Sequence, residues 1–402
     1  MTGPLSAAAL AASLAAPAGA AEARREVTLP EAIARTPELA EVRAGLAGQE
    51  VAAANVRAAG KPGDLGLSFA TRSQTARESV SASLPLPWLG PRGPRIDVAK
   101  GEEVVAAAET GGARADAERD LRVAWFALAT AEDRRQVAAE QTARARRNAQ
   151  AVLDLFEAGR VARLEAKRAE AEAAIAGADD VAAEEGRRGA AASLALLLGL
   201  PAGTEVVAAG ERPPPAEEAP LALLLERAQA DSAEVRIEKA ALGTSEARVR
   251  LAGRLRWPGL SLEGGADIND PTLPGTDKWI GVALTVPLSG GSSLAAAQGE
   301  RSRQTLRLDL ARRRAAAAAQ SAWSAARTAR LRYEALDGQA LPAAREGAEL
   351  ARLAYREGRS DLFRLLDAER TLSEVERDRI DAYRSWAEAD AEERRLSAGS
   401  AP

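Results

Sequence analysis

Phe156-Glu-Ala-Gly-Arg160 and Tyr355-Arg-Glu-Gly-Arg359 are one phrase written twice: an aromatic, two residues, a glycine and an arginine, with the glycines 199 positions apart. Outward from this pair the match continues at nearly the same spacing. Trp125 and Trp323 lie 198 apart, each inside a long helical pattern. Leu84-Pro-Leu86 and Val286-Pro-Leu288 lie 202 apart, and a glycine follows each, at Gly90 and Gly290. Val42 and Val235 lie 193 apart in the shorter helical stretches that open each half. One Ala/Arg/Glu-rich composition can generate look-alike helices, but four dissimilar landmarks at offsets of 193 to 202 are hard to get by chance, so the chain reads as an internal duplication.

Each half runs helix, hairpin, long helix, turn, return helix. Pro94 to Phe156 contains no further proline. About 60 residues at ~1.5 Å each make a rod of about 90 Å. That is beyond globular length and reads as coiled coil. In the last helix Leu365, Ala368, Leu372, Val375, Ala382, Trp386 and Ala389 follow a 3-4 spacing broken at Arg379. Such a narrow Ala/Leu seam buries too little surface alone. It must pack against several neighbours, within the chain or between subunits.

Between the helices the period changes to two. Leu260, Leu262, Gly264, Ala266 and Ile268 alternate, as do Ile280, Val282, Leu284 and Val286 after a turn rich in Asn, Asp, Pro and Gly. In the first half Leu65, Leu67 and Phe69, then Val80, Ala82 and Leu84, do the same. Strands of about 9–11 residues are long enough to cross a bilayer at a tilt. Trp88, Trp257 and Trp279 fall at or near strand ends, where membrane-interface aromatics are expected. Four strands cannot close a barrel, and lipid forbids an open edge, so other subunits must complete the sheet.

Residues 1–21 are expected to be a signal peptide: a small-residue apolar tract ends at Ala18-Gly19-Ala20, although the first basic residue, Arg24, comes after it. Residues 28–200 form the first repeat, with strands at about 64–72 and 78–88. A Pro-rich linker with Pro213-Pro-Pro215 covers 201–220. Residues 221–396 form the second repeat, with strands at about 258–268 and 279–288, and 397–402 are a tail. The fold class is mainly α with a small β part: a long helical coiled-coil barrel, transmembrane β-barrel strands, duplicated, homotrimeric.

Composition removes other classes. The 402 residues include no His, no Cys and one Met, which excludes imidazole and thiolate metal sites and Cys-His or Ser-His catalysis. There is no Gly-rich phosphate loop, so no enzyme, cofactor or metal is expected. The 54 basic and 58 acidic residues interleave without the basic stripe that nucleic acid requires. After the leader no stretch of 18 apolar residues occurs, so a membrane position requires strands.

The plan resembles the TolC family of outer-membrane efflux proteins from about Leu29 to Leu396. The best local match is Ala354-Tyr-Arg-Glu-Gly-Arg359 followed by Leu365-Leu-Asp-Ala-Glu-Arg-Thr-Leu372. The resemblance implies a homotrimer with a 12-stranded barrel in the outer membrane and a helical tunnel across the periplasm. It implies a passive exit duct of a tripartite efflux pump or type I secretion system. A periplasmic adaptor protein would join it to an inner-membrane transporter, and lipid would surround the barrel. It places Gly159, Arg160, Gly358 and Arg359 at adaptor-docking turns. It also implies a periplasmic gate of acidic rings just past the turns. Here those positions hold Glu165 and Arg168, then Arg364 and Asp367, so each half keeps one acid and replaces the other. Glu165 and Asp367 are expected to pair with Arg168 and Arg364. The competing class is a non-pore periplasmic coiled-coil adaptor or structural protein, which would carry one hairpin flanked by compact β domains.

Overall fold

A computed structural model describes residues 24–61, 66–72, 77–85, 91–201, 203–268, 275–286 and 290–397. The leader expected at residues 1–21, Trp88 and the tail beyond Ser397 lie outside the described residues. The chain opens with β1 (Arg25–Thr28), α1 (Leu29–Ala34) and α2 (Ala40–Ala59). The hairpin β2 (Gly66–Arg72) and β3 (Arg77–Pro85) follows, then α3 (Arg92–Glu157) and α4 (Arg163–Leu197). After β4 (Val206–Ala209) the second half repeats the plan: α5 (Leu221–Asp231), α6 (Ala233–Arg254), β5 (Gly259–Ile268), β6 (Thr276–Thr285), α7 (Gly290–Ala335), α8 (Leu341–Arg356) and α9 (Leu362–Ser397).

The 66 residues of α3 span about 100 Å. Its counterpart in the second half is not uninterrupted. A π-turn at Leu336–Ala340 divides α7 from α8, just before Pro342. Proline has no N–H to give the residue four before it, and the wider turn lets the rod continue past that missing bond. Along α9 the expected seam holds: Leu365, Leu372, Ala382, Trp386 and Ala389 are buried, and Arg379 leaves it to bond Asp337 at 3.0 Å.

Most helix contacts are made by alanine. The large side chains gather at one height, the waist. There Leu121, Trp125, Phe126 and Leu128 of α3 meet Leu194 of α4 and Tyr383 and Trp386 of α9. Edge-on ring contacts run from Trp125 to Phe126 at 5.1 Å and from Phe126 to Tyr383 at 6.0 Å.

The waist also holds a pairing that sequence pattern did not show. β1 runs parallel to β4, from Arg25 opposite Val206 to Thr28 opposite Ala209. The segment read as a linker is therefore a strap bound to the bundle. Tyr383 donates to the Pro213 carbonyl at 2.7 Å, and Arg330 grips Glu218 with two bonds of 2.9 and 3.1 Å. The two halves use one latch. Trp125 Nε1 donates to the Val27 carbonyl at 2.9 Å, two residues before α1 begins. Trp323 Nε1 donates to the Ala219 carbonyl at 3.0 Å, two residues before α5 begins.

Beside the strap Glu393 keeps a buried carboxylate oxygen without a hydrogen-bond partner. Burial, then the charges of Asp390 and Glu218, push its pKa up to about 7 from 4.5, and Arg394 opposes this. A carboxyl whose folded pKa lies above its unfolded one stabilises fully below about pH 4.5. It loses that contribution as pH rises through about 7. Glu393→Gln should therefore melt above wild type at pH 8 and level with it at pH 4. Melting curves at the two pH values, with the opposite order at pH 8 as the adverse result, test this.

Candidate functional site: the sheet and the helical tip

The hairpins form one antiparallel sheet in the order β2-β3-β5-β6. Its register aligns Leu67, Ala82, Gly264 and Ile280 on one rung and Leu84, Leu262 and Val282 on another. This face is apolar and uncovered: Leu67, Phe69, Ile280 and Val282 are 64–79% exposed. The opposite face carries Ser68, Ser81, Glu263 and Asp267 on the alternate positions, and the Ser68 and Ser81 hydroxyls lie 2.7 Å apart. An apolar band of this size left to water would be a liability, whereas in lipid it is the expected outer face. Among the described residues β2 and β6 are both unpaired on their outer edges within one chain.

Strand parity corrects one expectation. Trp279 is not on the apolar band. It shares a rung with Ser68, Ser81 and Gly265, on the polar face. Its indole lies over Gly265, where a Cβ would come within 2.8 Å of the ring. Its neighbours Ile280, Val282 and Leu284 claim the apolar face, so Trp279 must take the other one. Trp257 stands 66% exposed in the turn between α6 and β5, where its N–H bonds the Arg254 carbonyl at 3.0 Å.

At the far end the two matched phrases are matched turns. Gly159 has φ 70°, with its N–H on Phe156 O at 2.9 Å and that of Arg160 on Leu155 O at 2.9 Å. Gly358 has φ 70°, with its N–H on Tyr355 O at 3.0 Å and that of Arg359 on Ala354 O at 2.8 Å. Both are Schellman closures, which need the left-handed residue that glycine supplies without strain. Arg359 pairs with Glu357. Under the turns Val152, Ala169, Leu362 and Leu365 are buried together, with Tyr355 against them.

The four expected gate residues all stand just past these turns. Arg168, Arg364 and Asp367 are exposed and Glu165 is half-buried. Among the described residues none of the four pairs with another within one chain. Glu165/Arg168 and Arg364/Asp367 are each three apart on one helix, and exposed pairs at that spacing gain too little to hold long side chains in place. Three interactions escaped sequence reading. Glu165 lies near Tyr355, whose hydroxyl is buried without a partner; burial, then the Glu165 charge, raise its pKa. Farther along, Arg370 pairs with Glu172, and Arg377 with Asp179 at 3.5 Å, joining α9 to α4. Each arginine lies 198 positions after the acid it meets, one short of the 199 that relates the two turns.

A sheet apolar on one face and polar on the other, carried on helices of about 100 Å, defines a membrane-seated duct. Residues 28–200 match the family described as outer membrane efflux protein. The cobalt-zinc-cadmium resistance protein CzcC of Cupriavidus metallidurans is 26% identical over 310 residues, 75% of this chain and 72% of that protein. The Campylobacter jejuni CmeC outer membrane channel superposes with a TM-score of 0.77 at 15% identity, covering 92% of this chain and 85% of that one. The Vibrio cholerae outer membrane protein VceC superposes with a TM-score of 0.75 at 16% identity, covering 92% and 96%. The match to the outer membrane efflux protein family is carried by the first half of the chain, residues 28–200. The chain is an outer-membrane channel reaching into the periplasm, a transport duct and not an enzyme.

Gly358→Ala puts a Cβ on a left-handed residue and should cost about 1–2 kcal/mol. Gly347, exposed inside α8 with open space around it, is the control. Gly347→Ala should stabilise by about 0.5–1 kcal/mol. Thermal melting of the detergent-solubilised protein must move in opposite directions for the two. A fall in both sinks the assignment of the turn.

Proposed function

We propose that three copies close the sheet into a 12-stranded barrel and the helices into a periplasmic tunnel, the passive exit duct of an efflux pump. The observation that carries this is the pair of free edges on β2 and β6, beside an apolar face suited only to lipid. The turns at Gly159-Arg160 and Gly358-Arg359 dock a periplasmic adaptor, which links the duct to an inner-membrane transporter that supplies the energy. Trp257 meets the membrane interface. Residues 1–21 are read as the export signal, and 28–200 and 221–396 as copies of one ancestral unit. The shared tryptophan latch supports that duplication. The cargo is divalent metal cations, which a relative named for cobalt, zinc and cadmium resistance favours, as do the carboxylates of Glu263, Asp267 and Asp277 on the polar strand positions.

The gate forms between subunits. Glu165 and Arg364 are repeat equivalents of opposite charge, 199 positions apart, as are Arg168 and Asp367. Around a threefold ring each acid then finds a basic neighbour on the next helix. One such pair is weak, and closure comes from its repetition. Arg364→Ala should raise the open probability of single channels in planar bilayers and shift their selectivity towards cations. Unchanged opening and selectivity would refute the gate, and failure to isolate a trimer from outer membranes would refute the duct itself.

A further inference from the structure

We infer that the groove between α3 and α4, beside the tip, takes an acidic amphipathic helix from a partner protein. The inference rests on the duct reading above and gives the docking partner a chemistry. The groove encloses about 690 Å³. Positions 146, 149, 150 and 153 of α3 and 163, 166, 167 and 170 of α4 line it. Both sets step by three, one and three, the spacing that forms the holes of a coiled coil. Ala149 and Ala166 keep the floor low, since both pack onto the buried cluster under the turns. Above that floor Leu153 and Phe156 remain 42% and 36% exposed. A third helix laid along the groove would cover both with side chains at 3-4 spacing.

Charge selects which helix. Arg146 and Arg163 stand exposed on opposite walls and, among the described residues, make no ion pair. Lys167 is answered by Glu170 at 2.5 Å. From Arg144 to Glu170 the chain carries seven basic and four acidic residues, although the whole chain has a net charge of −4. A helix flanked by Glu or Asp is therefore drawn in, and one flanked by Lys is repelled. The neighbouring groove between α3 and α8 is also lined by arginines, and its charge is met only in part, since Arg147 and Arg356 make no ion pair among the described residues. There Arg352 binds Glu349 at 2.5 Å and Glu369 at 3.0 Å. What separates the two is apolar surface: Leu365 in the neighbouring groove is buried, whereas in the α3–α4 groove exposed Leu153 and Phe156 lie beside the unanswered positive charge.

Two fluorescent helical peptides with the same leucine seam, one flanked by Glu and one by Lys, test this against the full-length protein in detergent. By anisotropy the Glu peptide should bind about tenfold tighter than the Lys peptide, with the gap closing at high salt. Arg146→Glu with Arg163→Glu should invert that order. Leu153→Asp should weaken both peptides. Equal binding of the two peptides, or an order that the double variant leaves intact, overturns the inference. So does cross-linking from position 150 that captures a second copy of this chain in place of the peptide. Single-channel recording on the same preparation separates the two ideas. Normal conductance with peptide indifference removes the groove alone, whereas absence of conductance removes the duct reading on which it rests.

Discussion

The free edges of β2 and β6 are the constraint on which the rest depends. Each unpaired N–H or C=O in hydrocarbon costs several kcal/mol, and an edge strand carries a row of them. No rearrangement within one chain removes that cost, because four strands cannot curl far enough to meet. In the trimer we propose, further copies supply the partner strands, and the helices below inherit the same rotation. Their uncovered apolar stripes then have a purpose, including Ile175 and Val181 on α4 and Leu306 and Leu350 on α7 and α8. On that reading a single subunit is an incomplete object at both ends.

That incompleteness explains where the large side chains are spent. Alanine seams let long helices approach closely but bury little area per residue. A rod of about 100 Å held only by such seams would slide and splay. The aromatic cluster, the β1–β4 pair and the strap bonds all act at one height and fix the register of α3, α4 and α9 there. Above the waist the register reaches the sheet, and below it the tip. The straps do this without adding to the bundle, because the proline run denies the segment a helix of its own and leaves its carbonyls free to accept from Trp323 and Tyr383.

The repeat, the strand period and the glycine turns were legible because each is a local pattern with a fixed physical cause. β1 and β4 were not: four residues apiece, joined across most of the first half, carry no periodicity to read. The break between α7 and α8 could have been read from Gly338 and Pro342, since a proline deep in a helical pattern must cost a hydrogen bond. Trp279 was misplaced because nearness to a strand end was weighed above parity, although the residues after it already fixed its face. The gate residues were legible as positions but not as contacts, because an exposed arginine has too many conformations for spacing to choose one.

In the gate we propose, the exchanged charges connect the duplication to the tip. After a duplication, helices α4 and α9 would start with like charges at equal heights. In a trimer six such helices would face one another around the axis, and six like charges at one level repel unless they are hydrated and apart. Reversing the sign in one repeat turns that ring into alternating charge at a single stroke. The chain shows the reversal at two heights beside the turns: Glu165 against Arg364, and Arg168 against Asp367. Farther along, α4 and α9 are joined within the chain by Glu172 with Arg370 and Asp179 with Arg377. At the two heights nearest the turns no such pair forms among the described residues. Arg168, Arg364 and Asp367 stand in the open there. In the trimer we propose, the tip would thus be the place where alternating charge is available but uncommitted. That is what an end that must both close and open requires: contacts that form only between subunits, each weak enough for an incoming partner to replace.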